Sequence, residues 1–116
     1  AGWVGASANA DLWAGVCIWY GGGAFRQSGT LPSPYDSLSK IQAPIIGFFG
    51  NDDKNPTPDH VNTLEAKLKE CGKNYEFHRY DGAGHAFFAA ERPAYRVEQA
   101  NDGWQKVYAF YRKHLG

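Results

Sequence analysis

Hydrophobic positions recur along this chain with two different spacings, and the alternation between them predicts its elements. Residues 1–10 are small and weakly helical, with Trp3, Val4 and Ser7 on one side. Ala14-Gly-Val-Cys-Ile-Trp-Tyr20 is a continuous apolar run that stops at Gly21-Gly22-Gly23. Its length and its β-branched and aromatic content predict a strand buried on both faces. Residues 21–40 carry glycine, serine and the turn formers Pro32 and Pro34, and read as a long loop. Pro44-Ile-Ile-Gly-Phe-Phe49 is a second buried strand, stopped by Gly50-Asn51-Asp52-Asp53.

The spacing then lengthens to that of a helix. Thr57 is placed as an N-cap, Pro58 suits the first helical position, and Asp59 complements the positive pole. Val61, Leu64, Leu68 and Cys71 recur on one face, Glu65 and Lys69 are set to pair at i, i+4, and Gly72 closes the end. Tyr75-Glu-Phe-His-Arg-Tyr80 alternates as a third strand and runs into the turn Asp81-Gly-Ala-Gly84. From about Ala94 to His114, Val97, Ala100, Trp104, Val107 and Tyr111 mark a long amphipathic helix. Strands alternating with helices imply parallel pairing with right-handed crossovers, so the class is α/β, with about three parallel strands and flanking helices.

Composition narrows the function. A chain of 116 residues is the size of one domain. Lys plus Arg is 12 and Asp plus Glu is 12, so no basic excess exists to hold a nucleic-acid backbone. With 43% hydrophobic and 16% aromatic residues the chain can bury a core, yet its apolar runs are far short of a membrane span. Cys17 and Cys71 allow one disulfide but form no Cys-x-x-Cys pair, so a reduced, cytoplasmic protein is expected. No secretory signal is visible at the start; initiator removal accounts for Ala1 coming first, and that together with the absence of methionine also suits a piece of a longer gene.

Candidate chemistry collects where functional groups of parallel sheets collect, just past the carboxyl ends of strands. The second strand runs into Asp52 and Asp53, and the third into His85. An acid after one strand and a histidine after the next is the closing order of α/β-hydrolases, in which the acid holds one ring nitrogen while the other moves protons. A solvated turn is the ordinary reading of an Asp-Asp pair, and a lone histidine after glycines is also commonplace. Found together in that order, they point to a site. Asn51, Asp53 and Asn55 alternate like the start of a calcium loop, but its glycine and closing glutamate are missing, so no metal site is expected. His60, His78 and His114 read as surface or cap residues.

Pro44-Ile-Ile-Gly-Phe-Phe-Gly-Asn-Asp-Asp-Lys-Asn-Pro56, then Tyr80-Asp-Gly-Ala-Gly-His-Ala-Phe87, then Tyr95, Trp104 and Ala109-Phe-Tyr-Arg-Lys-His-Leu115 resemble the carboxyl half of dienelactone hydrolases (carboxymethylenebutenolidases). Trp19-Tyr-Gly-Gly22 is similar to the family's strand before its long loop. The resemblance covers essentially residues 1–116 as a single unit, a partial α/β-hydrolase fold. It implies that Asp53 is the acid and His85 the base of a Cys-His-Asp triad, with Asp52 the neighbouring candidate for the acid. It implies a small-molecule ester or lactone as substrate and requires no metal or organic cofactor. The nucleophile is the departure. The family's Gly-x-Cys-x-Gly elbow falls before Ala1; Gly5-Ala-Ser-Ala-Asn9 does not replace it, Cys17 lies mid-strand, and Cys71 ends a helix at its negative pole. Where the family places an arginine for the substrate carboxylate, this chain reads Ala86-Phe-Phe-Ala-Ala-Glu-Arg92.

Two other functions fit parts of the pattern. A truncated, non-catalytic half-domain would pair with a second copy through its exposed sheet, as a homodimer. A sugar-binding module would use Trp3, Trp13, Trp19 and Trp104 as a stacking platform.

Overall fold

A computed structural model describes residues 2–8, 10–25 and 33–115. Three strands, β1 (Val16–Trp19), β2 (Ile45–Gly50) and β3 (Tyr75–Tyr80), form one sheet in the order β1-β2-β3. Both pairings are parallel, with Val16, Ile45 and Tyr75 side by side in register. Helices α1 (Gly2–Ala8), α2 (Pro58–Glu70) and α3 (Val97–Leu115) flank it, with 3-10 turns at Ala10–Leu12 and Pro34–Lys40. The last of these turns replaces part of the loop expected over 21–40; Pro32 lies outside the described residues.

Strand alternation divides the core into two layers. Ile45 and Phe49 of β2 face Trp3 and Ala6 of α1 and Val61, Leu64 and Leu68 of α2. Ile46 and Phe48 face the other way, toward Phe87 and toward Val107 and Phe110 of α3. All six residues of β2 are buried, as its unbroken apolar run predicts. β1 is shorter than its run of seven, and only Ile18 is buried, because no strand lies on its outer side among the described residues. The α1 stripe is also corrected: Trp3, Ala6 and Ser7 are buried, whereas Val4 is half exposed.

Local chemistry places α2 as expected. The Thr57 hydroxyl accepts from the His60 amide, and the His60 ring accepts in return from the Thr57 amide, a reciprocal cap. Gly72 adopts φ +67 at the far end, the left-handed conformation that a glycine takes without strain. Glu65 does not serve Lys69; it reaches across to Arg79 of β3 at 3.4 Å. The buried face of α3 is Ala100, Gly103, Val107 and Phe110, which shares Ala100 and Val107 with the expected stripe and is turned from it by about an eighth of a turn. Val97, Trp104 and Tyr111 stay partly in solvent. Gly103 decides the difference: a Cβ there would stand 2.0 Å from the Phe88 ring, so only glycine lets the helix close onto that aromatic.

Candidate active site

Three loops leave the carboxyl ends of the three strands and meet. The loop after β2 approaches the loop after β3 at Gly50, where a Cβ would lie 2.1 Å from the Ala83 carbonyl oxygen. The Asp52 amide donates to that same carbonyl, and the Asn51 amide donates to the Tyr80 carbonyl. With the backbones in contact, Asp53 and His85, 32 residues apart, are brought together: His85 Nδ1 donates to Asp53 Oδ2 at 2.9 Å. Asp52, the alternative acid, is exposed and lines the rim of the same depression.

The two partners have opposite environments. The Asp53 side chain is 2% exposed and that of His85 is 53% exposed. The second carboxylate oxygen of Asp53 accepts from the Asn55 amide at 2.8 Å. A carboxylate taken from water must be paired or hydrogen-bonded, and both of its oxygens are. Holding Nδ1 as donor leaves Nε2 as the ring's acceptor, free to take a proton. That is the arrangement of a base with its orienting acid.

Aromatic residues fix the exposed ring. Tyr20 lies 5.0 Å from the His85 ring and 5.7 Å from the Phe87 ring, centre to centre. Tyr20 at φ +40 and Ala86 at φ +66 are both left-handed non-glycine residues, and they flank His85 in space and in sequence. Such conformations cost free energy and persist only where their surroundings impose them. The sequence marks Tyr20, Gly22 and Gly50 only as strand ends and turns and Asn55 only as part of a loop, and the glycines at the strand ends were the signal for a close approach.

His85 borders a cavity of about 550 Å³ that runs along β1 past Cys17, Trp19, Tyr20, Gly22 and Asn55. Cys17 lines this cavity, but burial pushes its thiol up to about 12, which disfavours the thiolate that a nucleophile requires. Both cysteines are free. Among the described residues no group of three or more His, Cys, Asp or Glu side chains is disposed to hold a metal ion, and no helix is long and apolar enough to cross a membrane. The remaining histidines serve local structure: His60 caps α2, His78 bonds Glu76 and stacks on Phe48, and His114 packs on Phe110. Trp3 is buried, and Trp19 is wedged between Phe48 and Phe88, so the four tryptophans share no exposed platform.

A carboxylate and a histidine meeting at the carboxyl edge of a parallel sheet with flanking helices fit the α/β-hydrolase fold, and comparison with known proteins gives the family. Residues 2–115 match the dienelactone hydrolase family, and the chain belongs to it. It is 34% identical over 113 residues to a Methylorubrum extorquens protein named "Putative carboxymethylenebutenolidase", covering 97% of this chain and 38% of that one. An Escherichia coli protein of the same name is 34% identical over 115 residues, covering 98% and 42%. A crystal structure described as a "Putative Dienelactone Hydrolase" from Klebsiella pneumoniae superposes with a TM-score of 0.87 at 32% identity, over 96% of this chain and 46% of that one. The chain thus spans less than half the length of these relatives. Membership supports a hydrolase-like function and matches the partial α/β-hydrolase fold expected from the strand order.

Proposed function

We propose that Asp53 and His85 are the acid and base of a Cys-His-Asp triad in a dienelactone hydrolase-like enzyme acting on a small-molecule ester or lactone. The 2.9 Å bond from His85 Nδ1 to buried Asp53 carries the reading. The nucleophilic cysteine is supplied by a Gly-x-Cys-x-Gly elbow outside these 116 residues and enters the cavity beside His85. His85 Nε2 takes the thiol proton as sulfur bonds to the carbonyl carbon. The tetrahedral oxyanion collapses, the C–O bond breaks, and His85 returns the proton to the leaving alkoxide. Water then attacks the thioester, gives its proton to His85, and the thiolate departs to regain it. Asp53 holds the ring orientation throughout and stabilises the imidazolium.

Turnover of an activated aryl ester tests this. The chain alone gives no acyl-enzyme burst. Joined to a segment bearing the cysteine elbow it turns over, and His85→Ala then lowers kcat by about 10³-fold or more. Burst activity of the chain alone that disappears in both Cys17→Ala and His85→Ala would overturn the external nucleophile.

A second reading, a non-catalytic half-domain that pairs with a second copy, is favoured by the bare side of β1. Among the described residues that strand is bonded only to β2, and Leu12 and Trp13 are exposed. Light scattering distinguishes the two: this reading requires a dimer, and a clean monomer at all concentrations removes it.

A further inference from the structure

We infer that Gly22 is a positioning residue for the Asp53–His85 pair, acting through the backbone of Asn55. The inference rests on the triad reading above and extends it to a glycine in the loop after β1.

Asp53 has one protein donor on each carboxylate oxygen. Oδ2 accepts from His85 and Oδ1 accepts from the Asn55 amide. The orientation of the carboxylate therefore depends on where the Asn55 backbone lies as much as on the histidine. Asn55 is exposed on its outer side. On its inner side it meets Gly22: a Cβ at that position would stand 2.8 Å from the Asn55 carbonyl oxygen, 3.1 Å from its Oδ1 and 3.2 Å from its carbonyl carbon. Two of these three atoms belong to the backbone, so an added methyl group could not be accommodated by a rotamer change alone. The Asn55 backbone would have to withdraw, and its amide is the donor on which Asp53 Oδ1 relies.

Gly22 needs no left-handed conformation, unlike Gly23 at φ +74. The requirement for glycine at 22 is therefore one of space. Its amide is held by the Tyr20 carbonyl at 2.8 Å, which fixes the loop against the strained Tyr20 that packs on His85. One short segment after β1 thus touches the base from one side and the acid's support from the other. Without a Cβ at residue 22, the β1 loop can lie on the β2 loop while the β2 loop lies on the β3 loop at Gly50.

The neighbouring glycine supplies the control. A Cβ on Gly21 would meet Ile18 Cγ2 at 2.5 Å and Trp3 Nε1 at 2.7 Å, and Asn55 is not among its near neighbours. Gly21→Ala crowds the same loop without reaching the acid.

The experiment reads the tautomer of neutral His85 by nitrogen-15 NMR on the 116-residue chain, with the ring signals assigned from His85→Gln. In the wild type Asp53 holds the Nδ1–H form. Asp53→Ala frees the ring, and the Nε2–H form rises to the majority. Gly22→Ala lowers the Nδ1–H population by about twofold or more, whereas Gly21→Ala leaves it unchanged. The wild type gives a second measurement that does not depend on any variant folding: the Asn55 amide proton shifts in step with the His85 ring signals as pH changes, because both donate to one carboxylate. Unchanged tautomers in Gly22→Ala, equal shifts in both glycine variants, or an Asn55 amide indifferent to His85 would each overturn the positioning role while leaving the triad standing. A tautomer unaffected by Asp53→Ala would instead remove the triad reading itself.

Discussion

The two flanks of β2 differ in how completely they are built. On the β3 side six residue pairs join the strands, the following loop is seated on Gly50, and the Tyr80 hydroxyl and Lys106 both donate to Asp102 of α3 at 2.6 Å. On the β1 side four pairs join the strands, the outer edge carries no strand among the described residues, and Trp13 and Trp104 remain 47% and 45% exposed. Asp53 and His85 lie on the finished flank. The cavity that His85 borders opens along the unfinished one. The Asp53–His85 bond itself joins the β2 and β3 loops, and the loop after β1 adds Tyr20 against the ring and Gly22 against Asn55.

Mutation can break this contrast. Phe49, 1% exposed in the β2 core against Phe77, should cost about 3–5 kcal/mol on substitution by alanine, read as a shift in urea unfolding. Trp13→Ala on the other flank removes an exposed ring and one indole bond to the Gly5 carbonyl, and should cost no more than about 1 kcal/mol. Equal costs would mean that the β1 flank is as well packed as the β2 core.

Thiol chemistry probes the same boundary. With Cys71→Ser leaving one thiol, Cys17 at about 12 is thiolate to only about one part in ten thousand at pH 8. A disulfide reagent should therefore modify it about a thousand times more slowly than an ordinary thiol, until urea unfolds the chain. Rapid modification of the folded protein would show that the β1 edge opens.

The smallest expected effect lies on the finished side. Bonds from Lys106 and Tyr80 hold the Asp102 carboxyl below its ordinary range. A depressed carboxyl stabilises the fold above its unfolded value and loses that contribution as pH falls below about 4. The Asp102 side chain is 46% exposed and its bonds are screened by water, so Asp102→Asn should flatten the acid limb of the stability curve by only a few tenths of a kcal/mol. A large loss at neutral pH would make this network a principal anchor of α3.

Much of the site was legible because it depends on chain order. Asp53 follows a strand marked by an unbroken apolar run and His85 follows one marked by alternation, and parallel strands must end on the same edge. Asn55 and Gly22 were not legible, because an amide bonding a carboxylate two residues earlier and a methyl-sized gap leave no periodic trace. The buried stripe of α3 was misplaced for the same kind of reason. Trp104 and Tyr111 look like core by hydrophobicity, yet Gly103 faces the sheet because Phe88 fills the space where a side chain would go.

The amino-acid sequence by itself determined the strand and helix order, the parallel class, the cap at Thr57 and the turn at Gly72, since each follows from spacing or local hydrogen bonding within a few residues. The tertiary structure brought Asp53, the acid that the resemblance implies, to His85, and it alone decided that β1 is an edge among the described residues and that Gly22, Gly50 and Gly103 are contact points. Those outcomes depend on which backbone approaches which across tens of residues. Close approach between distant segments is set by the sum of all the packing, and no local pattern encodes it.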